Sequence, residues 1–222
     1  EVVCVLFSLK ILFPNQIWLN RGNHEDEQMN TKYGFQKANM EAFGDALGSQ
    51  TFKAVSSCFE YLPVGCRVAG KVLAVHGGIG DGKWKIEELK KVQRPLSHQR
   101  LQEPSHKTIW NILWSDPIED DQVGASVFGV HASPRSKNAV KFGWNVTQAF
   151  CAMNGLDLIV RSHQSKKEGL GFDVMHNEAL VRVFSARDYE HHHNDGAVLL
   201  IRENPEEPGK FDLRAQVLRA LS

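Results

Sequence analysis

Three short apolar runs in this chain each end in a polar cluster that contains a histidine, and this repeated pattern strongly constrains the fold. The runs read "WLNRGNHE", "LAVHGG" and "LIVRSHQ", and they place His24, His76 and His163 just after predicted strands. Side chains at strand ends can converge at one edge of a sheet, where the backbone holds them rigidly. A lone histidine there is commonly structural. Three in the same setting point equally to a metal site and to structural histidines.

Neighbouring residues add to the case for a metal site. Gly22 and the pair Gly77–Gly78 allow the backbone to turn sharply or to approach closely. Asn23 offers a neutral oxygen that suits a hard or borderline divalent cation. The histidine-rich run at 190–193 is interpreted as a solvated loop, because adjacent residues of an extended segment point in opposite directions. No function is predicted for four histidines in polar loops: His98, His106, His131 and His176.

Composition argues against several other classes of protein. Lys+Arg and Asp+Glu are balanced at 26 each, so no broad electrostatic field favours nucleic acid or an anionic membrane. No apolar run approaches the ~18–20 residues of a membrane span. The four cysteines are scattered without a CxxC pair, which favours a reducing, intracellular setting. We therefore expect neither a nucleic-acid partner nor a membrane.

Hydrophobic periodicity predicts one α/β domain in which sheets carry the loops and helices cover the sheets. Helices are predicted at residues 2–13, 29–43, 50–62, 107–114 and 146–154, with a short one near 86–92. Strands are predicted at residues 15–20, on both sides of the Gly70–Lys71 turn, where the second strand covers residues 72–75, and at 156–160, 180–184, 197–201 and 211–216. Residues 79–106 are interpreted as a surface excursion and residues 118–141 as a polar loop region.

Five motifs occur in the order that marks a known enzyme family. "RGNHE", "VHGG", "LWSDP", "RSHQ" and "VFSARDY" together resemble the metal-dependent serine/threonine phosphoprotein phosphatases over nearly the whole chain. The chain looks most similar to the branches that carry EF-hands or tetratricopeptide repeats, with a slight preference for the EF-hand branch. The resemblance implies a calcineurin-like metallophosphoesterase fold, an α/β (α+β) β-sandwich flanked by helices, with a two-metal site at one sheet edge.

The resemblance also implies a role for each matched residue. Asn23, His76 and His163 would bind one of two divalent metal ions of the Mn²⁺, iron or Zn²⁺ type. His24 would be the general acid that protonates the leaving serine or threonine oxygen, and Tyr189 would line the substrate cleft. The implied reaction is in-line attack on phosphorus by a metal-bridging hydroxide, which releases phosphate from phosphoserine or phosphothreonine in proteins.

The arginines have separate expected roles within this resemblance. Arg135 matches the family's phosphate-binding arginine, although it lies one residue out of the family's spacing. Lys137 is the alternative cation, but a lysine lacks the planar fork that binds two phosphate oxygens at once. Arg21 is expected to be structural and Arg161 to pair with a carboxylate. Asp116 of "LWSDP" is expected to support the site rather than to touch phosphate.

The sequence also departs from the family pattern. The motifs Gly-Asp-x-His-Gly and Gly-Asp-x-x-Asp-Arg-Gly are absent, and in the family they supply the other three of six protein metal ligands. We therefore expect residues 1–222 to be a phosphatase catalytic domain incomplete at its N-terminus, without its first strands and their metal loops. Such a chain is expected to bind at most one divalent ion weakly, to have little activity and to expose apolar surface. In "SARDYE", Glu190 stands where the family often has Cys.

Three functional readings stay open. The chain is a piece of an active phosphatase, which the retained "RGNHE", "HGG" and "RSH" motifs favour, or a pseudo-phosphatase that acts as a binding or regulatory module. A third reading is a phosphoesterase for nucleotides or other small phosphates, against which "LWSDP" and "FSARDY" argue. The expected partners are phosphoprotein substrates, with calcium/calmodulin or regulatory-domain partners outside this chain. The expected location is cytoplasmic, and the nucleus as well.

Overall fold

The described strands form sheets of five, three and two strands; the two-stranded sheet packs on one face of the five-stranded sheet, and helices pack on its other face. The computed structural model describes residues 1–119, 127–166 and 169–220. Its α-helices are α1 (Val2–Leu12), α2 (Glu27–Lys32), α3 (Phe35–Phe43), α4 (Asp45–Phe59), α5 (His98–Leu101), α6 (Lys107–Trp114) and α7 (Trp144–Asn154). Its strands are β1 (Gly65–Val68), β2 (Val72–Val75), β3 (Asp116–Pro117), β4 (Val130–Ala132), β5 (Val140–Phe142), β6 (Leu158–Arg161), β7 (Phe172–Met175), β8 (Leu180–Val183), β9 (Gly196–Glu203) and β10 (Phe211–Leu218).

The larger sheet has five strands in the order β1-β2-β6-β8-β7. Its three central strands, β2, β6 and β8, are parallel, whereas β1 and β7 run antiparallel along the two edges. The register pairs Leu73 with Ile159 and Ile159 with Leu180. Because parallel strands end at the same edge of a sheet, the residues that follow β2, β6 and β8 meet there.

Alternate side chains of the central strands face two separate cores. Leu73 and Ile159 belong to the larger core, together with Ile112 of α6 and Phe150 of α7. The opposite face packs against the β9–β10 hairpin, and this core contains Val72, Leu158 and Val181 with Leu199, Ile201 and Phe211. Fully burying one such side chain contributes about 1.5–3 kcal/mol to folding. The cores thus hold the parallel strands, and the edge where they end, in place.

Several predicted elements are confirmed closely. α6 and β2 have the predicted bounds, and α1 ends one residue before the predicted end. The apolar residues of α1 are nevertheless solvent-accessible, and no residue of this helix is buried in the described structure. Within the described ranges no helix combines the length and apolar character needed to cross a bilayer.

The predicted strand at 15–20 is wrong. The N–H groups of Gln16 and Ile17 donate to the carbonyl of Phe13, which is a turn pattern, and Trp18 is 62% exposed. Apolar residues in a short run adopt a strand only where a neighbouring strand provides a hydrogen-bonded ladder. The segment therefore reaches the sheet edge as irregular backbone.

Three other interpretations also need correction. The predicted helix at 29–43 is divided into α2 and α3 at Gly34, whose φ of 88 lies in the left-handed region. Residues 79–106 are not a surface excursion, because Leu96 and Leu101 are buried in the larger core. The predicted loop region at 118–141 contains β4 and β5, which are too short to give a periodic signal, and residues 120–126 lie outside the described residues.

Candidate metal centre and substrate cleft

The ends of β2 and β6 bring two of the three motif histidines together. Ser162 N–H donates to the carbonyl of His76 at 2.9 Å, which extends the strand pairing by one step. The Nε2 atom of His76 lies 3.1 Å from Nδ1 of His163. His163 has a φ of 64, and a non-glycine residue in this region carries strain of a kind found at functional sites.

A buried arginine shapes the loop that carries Asn23. Arg21 donates from Nε to the carbonyl of Glu25 at 2.8 Å and from Nη1 to the carbonyl of Leu96 at 2.7 Å. Gly22 N–H donates to Glu25 Oε2 at 2.6 Å, and a Cβ at Gly22 would meet that same oxygen at 2.6 Å. The loop is thereby closed tightly against the sheet edge, and the expectation that Arg21 is structural is confirmed.

This loop places the side-chain oxygen of Asn23 beside the histidine pair. Asn23 Oδ1 lies 2.7 Å from Nε2 of His76. These separations are short enough for the three atoms to bind one ion, whose ligand atoms would lie about 2.0–2.2 Å from it. Two imidazole nitrogens and one amide oxygen suit a borderline divalent cation. The residues therefore fit the metal that the sequence predicts.

Asn23, His76 and His163 make a set of three ligands only if the amide oxygen of Asn23 is counted. Within the described residues no group of three or more His, Cys, Asp or Glu side chains is arranged to hold a metal ion. The run at 190–193 is predicted to be a solvated loop, and in the structure His193 is 76% exposed.

Both histidines are held in the neutral form that binds metal. Burial, together with the neighbouring His163 and Arg161, brings the pKa of His76 well below its ordinary value. Burial and the charges of Arg161 and Arg135 lower the pKa of His163 to about 3. A neutral imidazole keeps a nitrogen lone pair at pH 7, so neither ring needs to lose a proton before it binds a cation.

The buried ion pair between Arg161 and Asp116 lies beside the imidazole of His163. Arg161, which is completely buried, donates from Nη2 to Asp116 Oδ1 at 2.8 Å and from Nε to the carbonyl of Gly77 at 2.6 Å. Nε2 of His163 is buried and lies 4.0 Å from Asp116 Oδ1, so the ring turns this nitrogen toward the carboxylate and Nδ1 toward His76. The expected pairing of Arg161 with a carboxylate is confirmed.

A cleft of ≈ 500 Å³ opens above these residues and collects every site residue predicted from the sequence. These are Asn23, His24, His76, Arg135, His163 and Tyr189. The imidazole of His24 is exposed at the cleft, with its ring centroid 5.0 Å from that of Tyr33. Arg135 donates from Nε to Asp116 Oδ2 at 2.6 Å. Lys137, the alternative cation, lines a separate groove with Arg135 rather than this cleft.

Sequence reasoning missed several residues around this cleft. Tyr33, Trp114 and Glu190 also line the cleft, and none of them was predicted as a site residue, although Trp114 belongs to "LWSDP" and Glu190 to "SARDYE". His176 lies in the turn between β7 and β8, as predicted, but it is completely buried, with Nδ1 2.7 Å from Thr147 Oγ1. Adjacent polar residues in a sequence do not reveal such a contact, because it depends on packing between distant segments.

The match to a known family agrees with this geometry. The family model described as calcineurin-like phosphoesterase matches residues 1–167. The chain belongs to the calcineurin-like phosphoesterase family. It is 37% identical to serine/threonine-protein phosphatase 5 of Homo sapiens over 193 residues, which is 85% of this chain and 34% of that protein. It is 34% identical to serine/threonine-protein phosphatase T of Aspergillus oryzae over 190 residues, which is 85% of this chain and 36% of that protein.

A solved structure extends the similarity to the whole fold. A protein serine/threonine phosphatase from Saccharomyces cerevisiae, described as similar to human phosphatase PP5, matches with a TM-score of 0.80 and 28% identity. The match covers 100% of this chain and 66% of the yeast chain. The predicted calcineurin-like fold and the resemblance to serine/threonine phosphatases are thus confirmed. This calcineurin-like phosphoesterase spans about a third of the length of the two curated relatives above.

Proposed function

We propose that this chain is the catalytic part of a protein serine/threonine phosphatase. The proposal rests on one observation. Asn23, His76 and His163 lie together in one cleft, and His24 lies at its rim. The proposed catalytic domain extends over residues 1–222 and needs further ligands from outside them. The substrates are phosphoserine and phosphothreonine in proteins, and the proposed setting is the reducing cytoplasm.

Asn23, His76 and His163 would hold a divalent cation of the Mn²⁺, iron or Zn²⁺ type. When bound, such a cation polarises the phosphoryl oxygens and offsets their negative charge. The chain's contribution is to present three neutral donor atoms on rigid backbone, since one lies on a loop closed by a buried arginine and two follow paired strands. Rigid ligands of this kind need little rearrangement when the cation arrives.

His24 is the proposed general acid. An imidazole donates a proton readily near neutral pH, and the leaving serine or threonine oxygen needs one as the bond to phosphorus breaks. The ring is exposed at the cleft and packs beside Tyr33, so a peptide in the cleft can reach it. Its place next to Asn23 in the chain puts the proton donor beside the cation site.

Arg135 is the proposed phosphate-binding residue. Its Nε atom is engaged by Asp116, and Asp116 is in turn held by the buried Arg161. This contact orients the guanidinium and leaves its two terminal nitrogens to face two phosphoryl oxygens, an arrangement that strengthens and aligns binding. Tyr189, which also lines the cleft, would contact the bound peptide.

Turnover by the whole protein that contains this chain tests the proposal. With Mn²⁺ and a phosphothreonine peptide, His24→Asn is expected to lower kcat by about 10²–10⁴-fold, because it removes the proton donor. The matched control is His193→Asn, since that ring is 76% exposed and should leave kcat unchanged. If the unaltered protein binds the phosphopeptide without releasing phosphate, the protein is a pseudo-phosphatase.

Metal binding by residues 1–222 alone gives a second test. We expect a Mn²⁺ titration followed by calorimetry to show one weak site, because these residues offer one three-ligand set. His76→Ala and His163→Ala should each abolish the heat of binding, whereas His131→Ala should not. Two tightly bound ions per chain would contradict the proposed ligand set.

A further inference from the structure

A buried hydrogen bond behind the cleft joins the motif loop to a segment 72 residues away. Nδ1 of His98 lies 3.0 and 2.9 Å from the two carboxylate oxygens of Asp26. The side chains are only 16% and 5% exposed, respectively. Buried polar groups are costly unless they are paired, so this contact ties the two segments together.

Asp26 lies between His24, the proposed general acid, and the helix α2. It follows His24 by two residues and caps the N-terminus of α2, accepting hydrogen bonds from Gln28 N–H at 3.1 Å and Met29 N–H at 3.2 Å. α2 leads directly to Tyr33, whose ring lies beside that of His24. A shift of the Asp26 carboxylate would therefore disturb the loop before it and the helix after it.

The hydrogen bonds around His98 determine which of its ring nitrogens donates to Asp26. The side-chain amide of Gln102 lies with Nε2 2.7 Å from Nε2 of His98, so the amide donates to that nitrogen. His98 then carries its proton on Nδ1 and donates it to Asp26. Two residues earlier, the carbonyl of Leu96 accepts from Arg21. The segment at 96–98 thus contacts both the start and the end of the motif loop.

We propose that His98 is a positioning residue that fixes the motif loop, residues 21–26, through Asp26. Within the described residues the imidazole of His24 makes no hydrogen bond, so its location depends on the backbone that carries it. Asn23 depends on the same backbone. The effect of His98 on cation binding rests on the proposed function, whereas its effect on loop order does not.

The test uses residues 1–222 and separates the His98–Asp26 hydrogen bond from the helix cap. His98→Ala removes the donor, and Asp26→Ser removes the carboxylate that accepts from His98 but retains an oxygen that caps α2. His98→Asn keeps an N–H near the position of Nδ1 and should rescue the contact. The matched control is His106→Ala, because His106 is similarly covered at 13% exposure and pairs with Glu103, away from the motif loop.

Amide hydrogen exchange of peptides covering residues 21–33 is the first readout. We expect His98→Ala and Asp26→Ser to speed exchange there about tenfold, while His98→Asn and His106→Ala stay within twofold of the unaltered chain. The second readout is Mn²⁺ affinity by calorimetry, which should fall about tenfold in His98→Ala, as for other residues that support metal ligands.

The two readouts separate the possible failures. If His98→Ala speeds exchange no more than His106→Ala does, the positioning role is wrong, whatever happens to overall stability. If the unaltered chain binds no Mn²⁺ but exchange still changes as expected, the proposed metal site fails and the positioning role stands. If His98→Ala does not fold, Asp26→Ser and His98→Asn decide between these outcomes.

Discussion

The parallel strands that lead to the histidines and the N-terminal helix α1 are both rich in apolar residues, but only the strands are buried. Val72 and Ile159 are 1% and 0% exposed, whereas Val2 and Ile11 are 72% and 78% exposed. The strands face two cores, whereas no residue of α1 is buried in the described structure, although Phe7 lies edge-on to Phe59 of α4. Apolar composition therefore promotes burial only where another element has a complementary face.

Removing the charge buried at the sheet edge is expected to have the largest effect. Arg161→Leu should lower the free energy of unfolding by about 3–5 kcal/mol, because Asp116 would keep a buried charge without its main partner. Urea unfolding followed by circular dichroism measures the change. Arg187→Leu, at an exposed position, is the control and should change the value by less than ~0.5 kcal/mol. A loss below ~1 kcal/mol in Arg161→Leu would mean that the ion pair is not the brace inferred above.

Cysteine reactivity compares the two regions directly. Burial, with a contribution from Asp157, raises the pKa of the Cys151 thiol to about 11, whereas Cys4 on α1 is exposed. At pH 8 the thiolate fraction of Cys151 should be on the order of 100-fold below that of an ordinary thiol. Mass-resolved alkylation should therefore label Cys4 first and Cys151 last.

The same shift predicts how stability depends on pH. A thiol whose pKa is raised by folding contributes stability below its unfolded pKa, and this is lost as the pH rises through the folded value. The free energy of unfolding should thus fall between about pH 9 and 11, and Cys151→Ala should weaken that dependence. Equal labelling rates for Cys4 and Cys151 in the native protein would contradict both expectations.

Adding a methyl group at Gly77, at the sheet edge, should have an intermediate effect on stability. A Cβ at Gly77 would meet backbone atoms of Leu113 and Trp114 at 2.8–2.9 Å, and backbone cannot move aside as a flexible side chain can. Gly77→Ala should therefore cost about 1–3 kcal/mol of stability by overpacking. Ser8→Ala on α1 makes a comparable change in an exposed helix and should leave unfolding within a few tenths of a kcal/mol. Thermal and urea unfolding would show whether the two positions differ in this way.

Polar substitutions on α1 should have the smallest effect on stability. Ile11→Ser with Leu12→Ser should change the free energy of unfolding by about 0.5 kcal/mol or less, because both side chains are already exposed. The double variant should also self-associate less in sedimentation experiments, since exposed apolar patches promote association. Val72→Ser in β2 is the buried counterpart and should be strongly destabilising. A large loss of stability in the α1 variant would mean that this helix is packed against other elements in solution.

The elements that could be predicted are those whose signals are local. α6 has apolar residues at helical spacing and is followed by Ser-Asp-Pro. Neighbouring residues in the sequence therefore indicate both the helix and the position where it ends. The strand predicted at 15–20 failed because strand formation requires a partner that adjacent residues do not reveal. β4 and β5 were missed for a related reason, since each has only three residues.

The site shows the same division between local and distant information. The strand-end pattern led to His24, His76 and His163 and to Asn23 beside them, and the family motifs assigned their roles and added Arg135 and Tyr189. Residues that depend on contacts between distant segments, such as Tyr33 beside His24 or His98 with Asp26, could not be anticipated. Such contacts leave no repeated spacing, because the partner is set by how the chain folds back on itself.

The pairing of His76 with His163 has a consequence for the order in which the protein assembles. The two residues are 87 positions apart in sequence, yet they are joined by one step of the β2–β6 ladder. Contacts between such distant positions form late in folding, because a long loop must close first. During synthesis the N-terminal part of the chain therefore emerges without the complete set of ligands proposed above. The proposed cation site can form only after β6 has left the ribosome and paired with β2, so cation capture would follow that pairing.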